Sequence, residues 1–213
     1  MSGLLVKELS VLKRYGRQYI ILFIFFVAFS LYLKSPTYIQ SMLTMVMAML
    51  TLTGMSYDQM AGWDKYVLTM PVDRKTVVLS KYVMTLIWGV FALCVGAVSG
   101  LLLSQVPGIN SEGFLEIMVA SAALFCLVLF IYGIMIPLLF KFGVERARNF
   151  MFIVILIPIA AIIAISQMIP EQMLNSFLGN YFWVLVVGTA VFCVGFYMIS
   201  YFISVKIYEA KEF

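Results

Sequence analysis

The chain has 213 residues, of which 64% are hydrophobic and 11% charged, with a net charge of +4 at pH 7 and a mean hydropathy of +1.06. A soluble domain is roughly 45–50% apolar and about 25% charged. This composition excludes a water-soluble globule and makes the bilayer the expected solvent. The basic excess does not mark a nucleic-acid partner, because the lysines and arginines are dispersed among short polar segments. Anionic lipid headgroups are the expected counter-charge.

Two residue counts exclude chemistry. Histidine is absent, which removes Ser-His and Cys-His nucleophilic sites, HExxH zinc sites and histidine proton relays. Cys94, Cys126 and Cys193 each sit inside an apolar run with no CxxC spacing. They read as small packing residues, not as a disulfide framework or a metal site.

Residues 1–18 carry Leu4, Leu5, Leu9 and Leu12 at helical spacing, with Lys7, Glu8, Lys13 and Arg14 largely elsewhere on the wheel. The pattern predicts an interfacial amphipathic helix. A signal peptide is disfavoured, since the next apolar run ends at Lys34-Ser35-Pro36 with no small-residue cleavage site. Apolar runs then predict an all-α membrane protein with six transmembrane helices, at about 19–33, 38–55, 82–103, 114–140, 150–168 and 182–203. The length suits a single transmembrane domain over 1–213. The second span presents Met42, Met45 and Met49 on one face, an adaptable apolar wall suited to a pathway for varied apolar cargo. The third holds Gly96-Ala97-Val98-Ser99-Gly100, a GxxxG that permits close helix approach. Pro137 and Pro158 predict kinks in the fourth and fifth. Residues 169–180 suggest a short helix at the far membrane face.

Six spans place both termini on one side. Basic residues number four in the N-terminal segment, four in 56–81, three in 141–149 and two in the tail, against Lys34 alone on the opposite side. The expected topology therefore has both termini and both charged loops in the cytoplasm. Glu116 is the one acidic or basic residue expected within a span, and it sits at an edge. Ion-coupled transport usually needs intramembrane charge, and no GxxxxGK[ST] occurs. The energy source must then be external. The lack of paired carboxylates in the spans, together with the missing histidine, also argues against an intramembrane enzyme.

The longest polar interruption is Tyr57–Tyr82. On a helical wheel Met60, Trp63, Val67 and Met70 share one stripe, while Asp58, Gly62, Lys65 and Thr69 lie opposite. This predicts a short amphipathic helix over 57–70, ended by Pro71. Asp73 is placed to cap a new helix opening at Arg74-Lys75 and running into the third span. Such a connection would pass a force on the loop directly to the membrane.

The run WDKYVLTMPVDRKTVVLSKY resembles the cytoplasmic loop of the ABC-2 type permeases, with Leu68, Pro71, Val72, Arg74, Lys81 and Tyr82 matching its Leu-x-x-x-Pro-Val-x-Arg element and basic-aromatic pair. Within that family the chain is most similar to the small permeases of bacterial peptide exporters, such as that of phenol-soluble modulins. The resemblance implies a multi-pass subunit of the bacterial plasma membrane that works as a dimer, with a second permease copy. Each half would bind a separate cytoplasmic ABC ATPase, so that ATP and Mg sit on the partner and this chain holds no catalytic site, cofactor or metal. Residues 57–70 would be the coupling helix, with Tyr57, Asp58, Met60, Trp63, Asp64, Tyr66, Val67, Pro71 and Arg74 as coupling residues. Amphipathic peptides would be the cargo, passing a route that includes Met42, Met45, Met49 and Pro158. Gln59 and Gly62 depart from the charged residues many members carry there, so fewer ionic contacts to the motor are expected. Export of lipids or lipophilic drugs, and a non-transporting membrane scaffold or sensor, are the alternatives.

Overall fold

A backbone surrounded by hydrocarbon must satisfy its own N–H and C=O groups, which leaves a long apolar run little choice but helix. The computed structural model describes residues 2–35, 37–67, 69, 71–106, 113–147 and 171–211, together with 150, 153, 154, 156, 160 and 164. Six helices have described bounds: α1 (Ser2–Leu33), α2 (Thr37–Met60), α3 (Trp63–Val67), α4 (Arg74–Ser104), α5 (Phe114–Phe142) and α6 (Glu171–Glu209), and residues 144–147 are helical as well. No strand occurs among the described residues.

Four helical stretches are long and apolar enough to cross a membrane, namely α2, α4, α5 and Tyr181–Glu209 of α6, and Ile20–Leu33 is a shorter apolar stretch. At 1.5 Å per residue the 31 residues of α4 span about 46 Å, well beyond an apolar core of about 30 Å. The surplus is the charged start, Arg74 to Lys81. The expected fifth span falls mostly outside the described residues, and Pro158 lies wholly outside them.

Three boundaries differ from the sequence reading. First, the interfacial segment 1–18 and the span 19–33 are not separate elements, because Ser2–Leu33 is one helix of 32 residues. A lone internal glycine, Gly16, costs a helix only about 1 kcal/mol. Burial of Leu4 in the main core, beside residues such as Met55 and Val67, holds the N-terminal turns in place. Second, the helix expected over 57–70 is divided. Its first residues complete α2, the chain turns at Ala61 and Gly62, and α3 follows. Gly62 has φ +64, a left-handed geometry natural to glycine. Third, the expected short helix near 169–180 is present from Glu171 but joins the last span across Tyr181, whose φ of −114 and ψ of 15 mark the kink. Pro137 lies inside α5, which runs unbroken to Phe142.

Glu116 acts at a helix end. Its carboxylate accepts the Gly113 backbone N–H at 3.0 Å, satisfying one of the orphan donors at the start of α5. The GxxxG packs within the chain. A Cβ on Gly96 would stand 3.5 Å from Gln40 Cα, and one on Gly100 would stand 2.6 Å from Gln40 Nε2. The two glycines therefore let α2 lie directly on α4.

The tightest seam between α5 and α6 is at Gly133, where a Cβ would come within 2.9 Å of Phe196 Cε1. Gly133→Ala forces the ring to move and should lower stability by about 1–3 kcal/mol, as overpacking does. Gly188, on the open side of α6, has nothing within 4 Å of its virtual Cβ, so Gly188→Ala should leave the thermal midpoint unchanged or slightly raised. Thermal denaturation of the two variants in detergent checks the contrast.

Candidate functional site

The polar segment expected to couple the chain to a partner is assembled at one end of the bundle, and every described helix contributes. Asp58, in the last turn of α2, is 8% exposed. Burying a bare carboxylate is prohibitive, so it must be paired. Its Oδ1 accepts a charge-assisted hydrogen bond from Lys7 of α1, and its Oδ2 accepts one at 2.5 Å from Lys81 of α4. Lys81 is itself only 5% exposed, with its ammonium reaching back along α4 to the carboxylate. The Lys7 ammonium also lies 4.0 Å from the centroid of the Trp63 ring on α3, a cation–π contact. One carboxylate thus joins α1, α2 and α4, and one lysine extends the group to α3.

Gln59, next to Asp58, reaches the chain that follows α5. Its Oε1 accepts the Val144 N–H at 2.6 Å. Gly143, with φ +79, leaves the room needed, since a Cβ there would meet Gln59 Nε2 at 3.0 Å. Asp58, Gln59, Trp63, Lys81 and Val144 all line a small cleft of about 90 Å³ at this junction.

Arg74 opens α4 and closes α6. Its guanidinium donates to the backbone carbonyls of Glu209 at 2.6 Å, Lys211 at 3.2 Å and Tyr208 at 3.5 Å. Carbonyls at a helix C-terminus lack intrahelical donors and carry the negative end of the dipole, so a cation there is favoured. Asp73 occupies the N-cap position with extended geometry, φ −68 and ψ 143, but its side chain makes no capping bond. Its carbonyl accepts the N–H groups of Thr76 and Val77 instead.

One turn deeper, Tyr82 ties α4 to α6. Its hydroxyl shares hydrogen bonds of 2.7 Å with Ser200 and with Ser204, and its backbone carbonyl accepts the Tyr197 hydroxyl at 2.9 Å. Ser200 in turn donates to the carbonyl of Gly133 on α5. Every member of this buried network is partnered, the condition under which such a network rigidifies a core.

The residues singled out from sequence divide accordingly. Met60 and Tyr66 are 83% and 57% exposed, and Tyr57 and Pro71 are exposed as well. Asp58 and Val67 are buried, and Trp63 and Arg74 lie between. The expected stripe of Met60, Trp63, Val67 and Met70 is not one helical face: Met60 ends α2 pointing outward, Val67 of α3 enters the core, and Met70 lies outside the described residues. The side chain of Asp64 also lies outside them. Lys7, Gln59, Tyr197, Ser200 and Ser204 were missed. Lys7 was visible as a charge on the polar side of the N-terminal helix, but its partner 51 residues away was not.

Of the methionines on α2, Met45 and Met49 line an apolar groove of about 270 Å³ that α2 forms with Leu124, Leu127, Ile131 and Met135 of α5. Met42 is half-buried and does not line it. The hydroxyls of Ser41 and Thr44 at this groove donate to the Thr37 and Gln40 carbonyls of their own helix.

A polar assembly thus closes one end of an apolar bundle, around Asp58, Arg74 and Tyr82. Residues 3–209 match the family model described as ABC-2 family transporter protein. The chain belongs to this family. No curated protein and no solved structure matches it. This ABC-2 protein is a multi-pass membrane component of an ABC transporter, and the family implies association with a cytoplasmic ABC ATPase.

Asp58 is the keystone of the assembly. Asp58→Asn leaves two lysines facing a neutral group, and breaking a buried pair in this way should cost about 3–5 kcal/mol. Adding Lys81→Met should recover part of the loss, because Lys7, the better exposed of the two, then remains. Thermal midpoints of the permease in detergent check both. A single variant as stable as wild type would mean that Asp58 is not held as an internal charge.

Proposed function

We propose that this ABC-2 permease is the membrane half of an ATP-driven exporter of amphipathic peptides in the bacterial plasma membrane. It works as a dimer, and the segment from Tyr57 to Arg74 receives the stroke of the ATPase. The observation that carries the reading is the division of that segment into an exposed face and an internal strut. Tyr57, Met60 and Tyr66 present aromatic and thioether surface, the chemistry of interface anchors, while Asp58, Val67 and Arg74 tie the same segment to the helices behind it.

The contacts at this end also support six passages with both termini on the cytoplasmic side. The start of α1, the end of α2, the start of α4, the end of α5 and the end of α6 all meet there, through Lys7–Asp58, Gln59–Val144 and Arg74–Glu209. α5 and α6 both finish at this end. Together with the basic bias, this favours the cytoplasm for the assembly.

The cargo reading rests on the groove between α2 and α5. It is apolar, flanked by Met45 and Met49, and its Ser41 and Thr44 hydroxyls donate within α2. Such a surface suits the hydrophobic face of a peptide, and also a lipid or a lipophilic drug. ATP drives the cycle only in so far as it binds one arrangement of the complex more tightly than the other.

Two measurements test this. The permease is expressed with an ABC ATPase and the complex captured. Met60→Ala with Tyr66→Ala should weaken capture by at least about tenfold, the scale expected of interface anchors, while leaving the exposed-site variant folded. Capture and transport at wild-type levels would remove the coupling role from this face. In liposomes holding the wild-type complex, amphipathic peptides should stimulate ATP turnover. Stimulation by lipids with none by peptides would reassign the cargo.

A further inference from the structure

Lys7 makes two contacts with the coupling segment. Its ammonium bonds Asp58 on α2 and lies over the Trp63 ring on α3, and the two partners stand on opposite sides of the turn at Gly62. At that turn Gly62 has φ +64, and no described residue lies within 4 Å of a Cβ built on it, so glycine's backbone freedom sits where α3 leaves α2. A displacement of α3 about Gly62 therefore shifts the ring against the ammonium that also holds Asp58. The lysine sits on the second turn of a helix that continues without interruption to Leu33. A pull on Lys7 is thus a pull on the first membrane-entering helix.

α4 has a more direct attachment to the loop, through the Asp73–Arg74 junction and the Asp58–Lys81 pair. Lys7 is the described ionic link between the loop and α1. Resting on the reading that Tyr57–Arg74 takes the ATPase stroke, we infer that Lys7 is a positioning residue. It passes movement of α3 to α1, so that α1 and α4 move together rather than α4 alone.

The charge arrangement makes this testable without dismantling the fold. Removing the ammonium of Lys7 leaves Asp58 paired with the deeply buried Lys81, a balanced couple, whereas removing Asp58 takes the shared carboxylate from both lysines. Lys7 is also the more accessible lysine, its side chain being 27% exposed against 7% for Lys81.

Lys7→Met and Lys7→Arg are compared with wild type in the full permease–ATPase complex in liposomes, reading ATPase capture, ATP turnover and peptide export separately. Lys7→Met should still capture the ATPase and hydrolyse ATP, with export per ATP falling about tenfold, within the ordinary range of coupling between sites. Lys7→Arg, which keeps the charge and can sit on the indole, should restore the ratio to within about threefold of wild type. Lys7→Gln, which keeps a polar head on a long stem, should behave like Lys7→Met and serves if that variant folds poorly. Wild-type export per ATP in Lys7→Met or Lys7→Gln overturns the inference. So does loss of ATPase capture in those variants, which would make Lys7 a docking residue. Failure of the wild-type chain itself to capture an ATPase would instead remove the underlying functional reading.

Discussion

One carboxylate shared between two lysines organises the polar end of this protein. Asp58 is buried where three helices meet, and its partners come from two of them, Lys7 of α1 and Lys81 of α4. Ionic attraction strengthens as water is excluded, while the penalty for leaving a member unpaired grows with it. The helices cannot separate at this point without exposing or stranding charge. The net stabilisation from such a group is small when it is intact. Its larger effect is to fix which surfaces of α1, α2 and α4 face each other.

Around that point the contacts fall into two sets. Arg74 and the Tyr82–Ser200–Ser204–Tyr197 network bind α4 to α6, and Ser200 carries the link to Gly133 of α5. These are hydrogen bonds between close-packed helices with glycine at the tightest contact. Asp58 and its lysines bind α1 and α2 to the start of α4. A force entering at Pro71–Arg74 therefore meets α4, α5 and α6 as one braced unit. It meets α2 as well, which lies directly on α4 at Gly96 and Gly100 and is tied to it by Asp58 and Lys81, and it reaches α1 through Lys7.

Much of the helical architecture was legible because hydrocarbon leaves few alternatives. The start of α4 at Arg74 after Pro71 and Asp73, the span of α5 from Phe114, and the close approach at Gly96 and Gly100 all follow from local chemistry. What local reading missed is instructive. A helical wheel assigned Gly62 to a polar face, where it could equally be a break, and the wheel has no means of registering a positive φ. Asp58 looked like a solvent-facing acid because its partners are 51 and 23 residues distant. The amphipathic pattern of residues 1–18 was read as a helix on a surface. An apolar stripe and a buried packing face give the same periodicity, and Leu4 shows that the first turn of the stripe packs on the core. Arg74 matched a family element without revealing that it closes the end of α6, a contact made across 135 positions.

The hydroxyls along the α2 side of the α2–α5 groove have a consequence for selectivity under the cargo role proposed above. Ser41 and Thr44 direct their donors into their own helix, so the groove offers an occupant shape and little hydrogen-bond pattern. Apolar pockets of that kind separate close analogues weakly, by about 1–3 kcal/mol for each methylene gained or lost. Sequence variants that keep the same greasy outline would be treated nearly alike. Discrimination among molecules then falls to whatever decides which of them partition into the adjoining leaflet, a filter set by the membrane and by supply before the protein is reached.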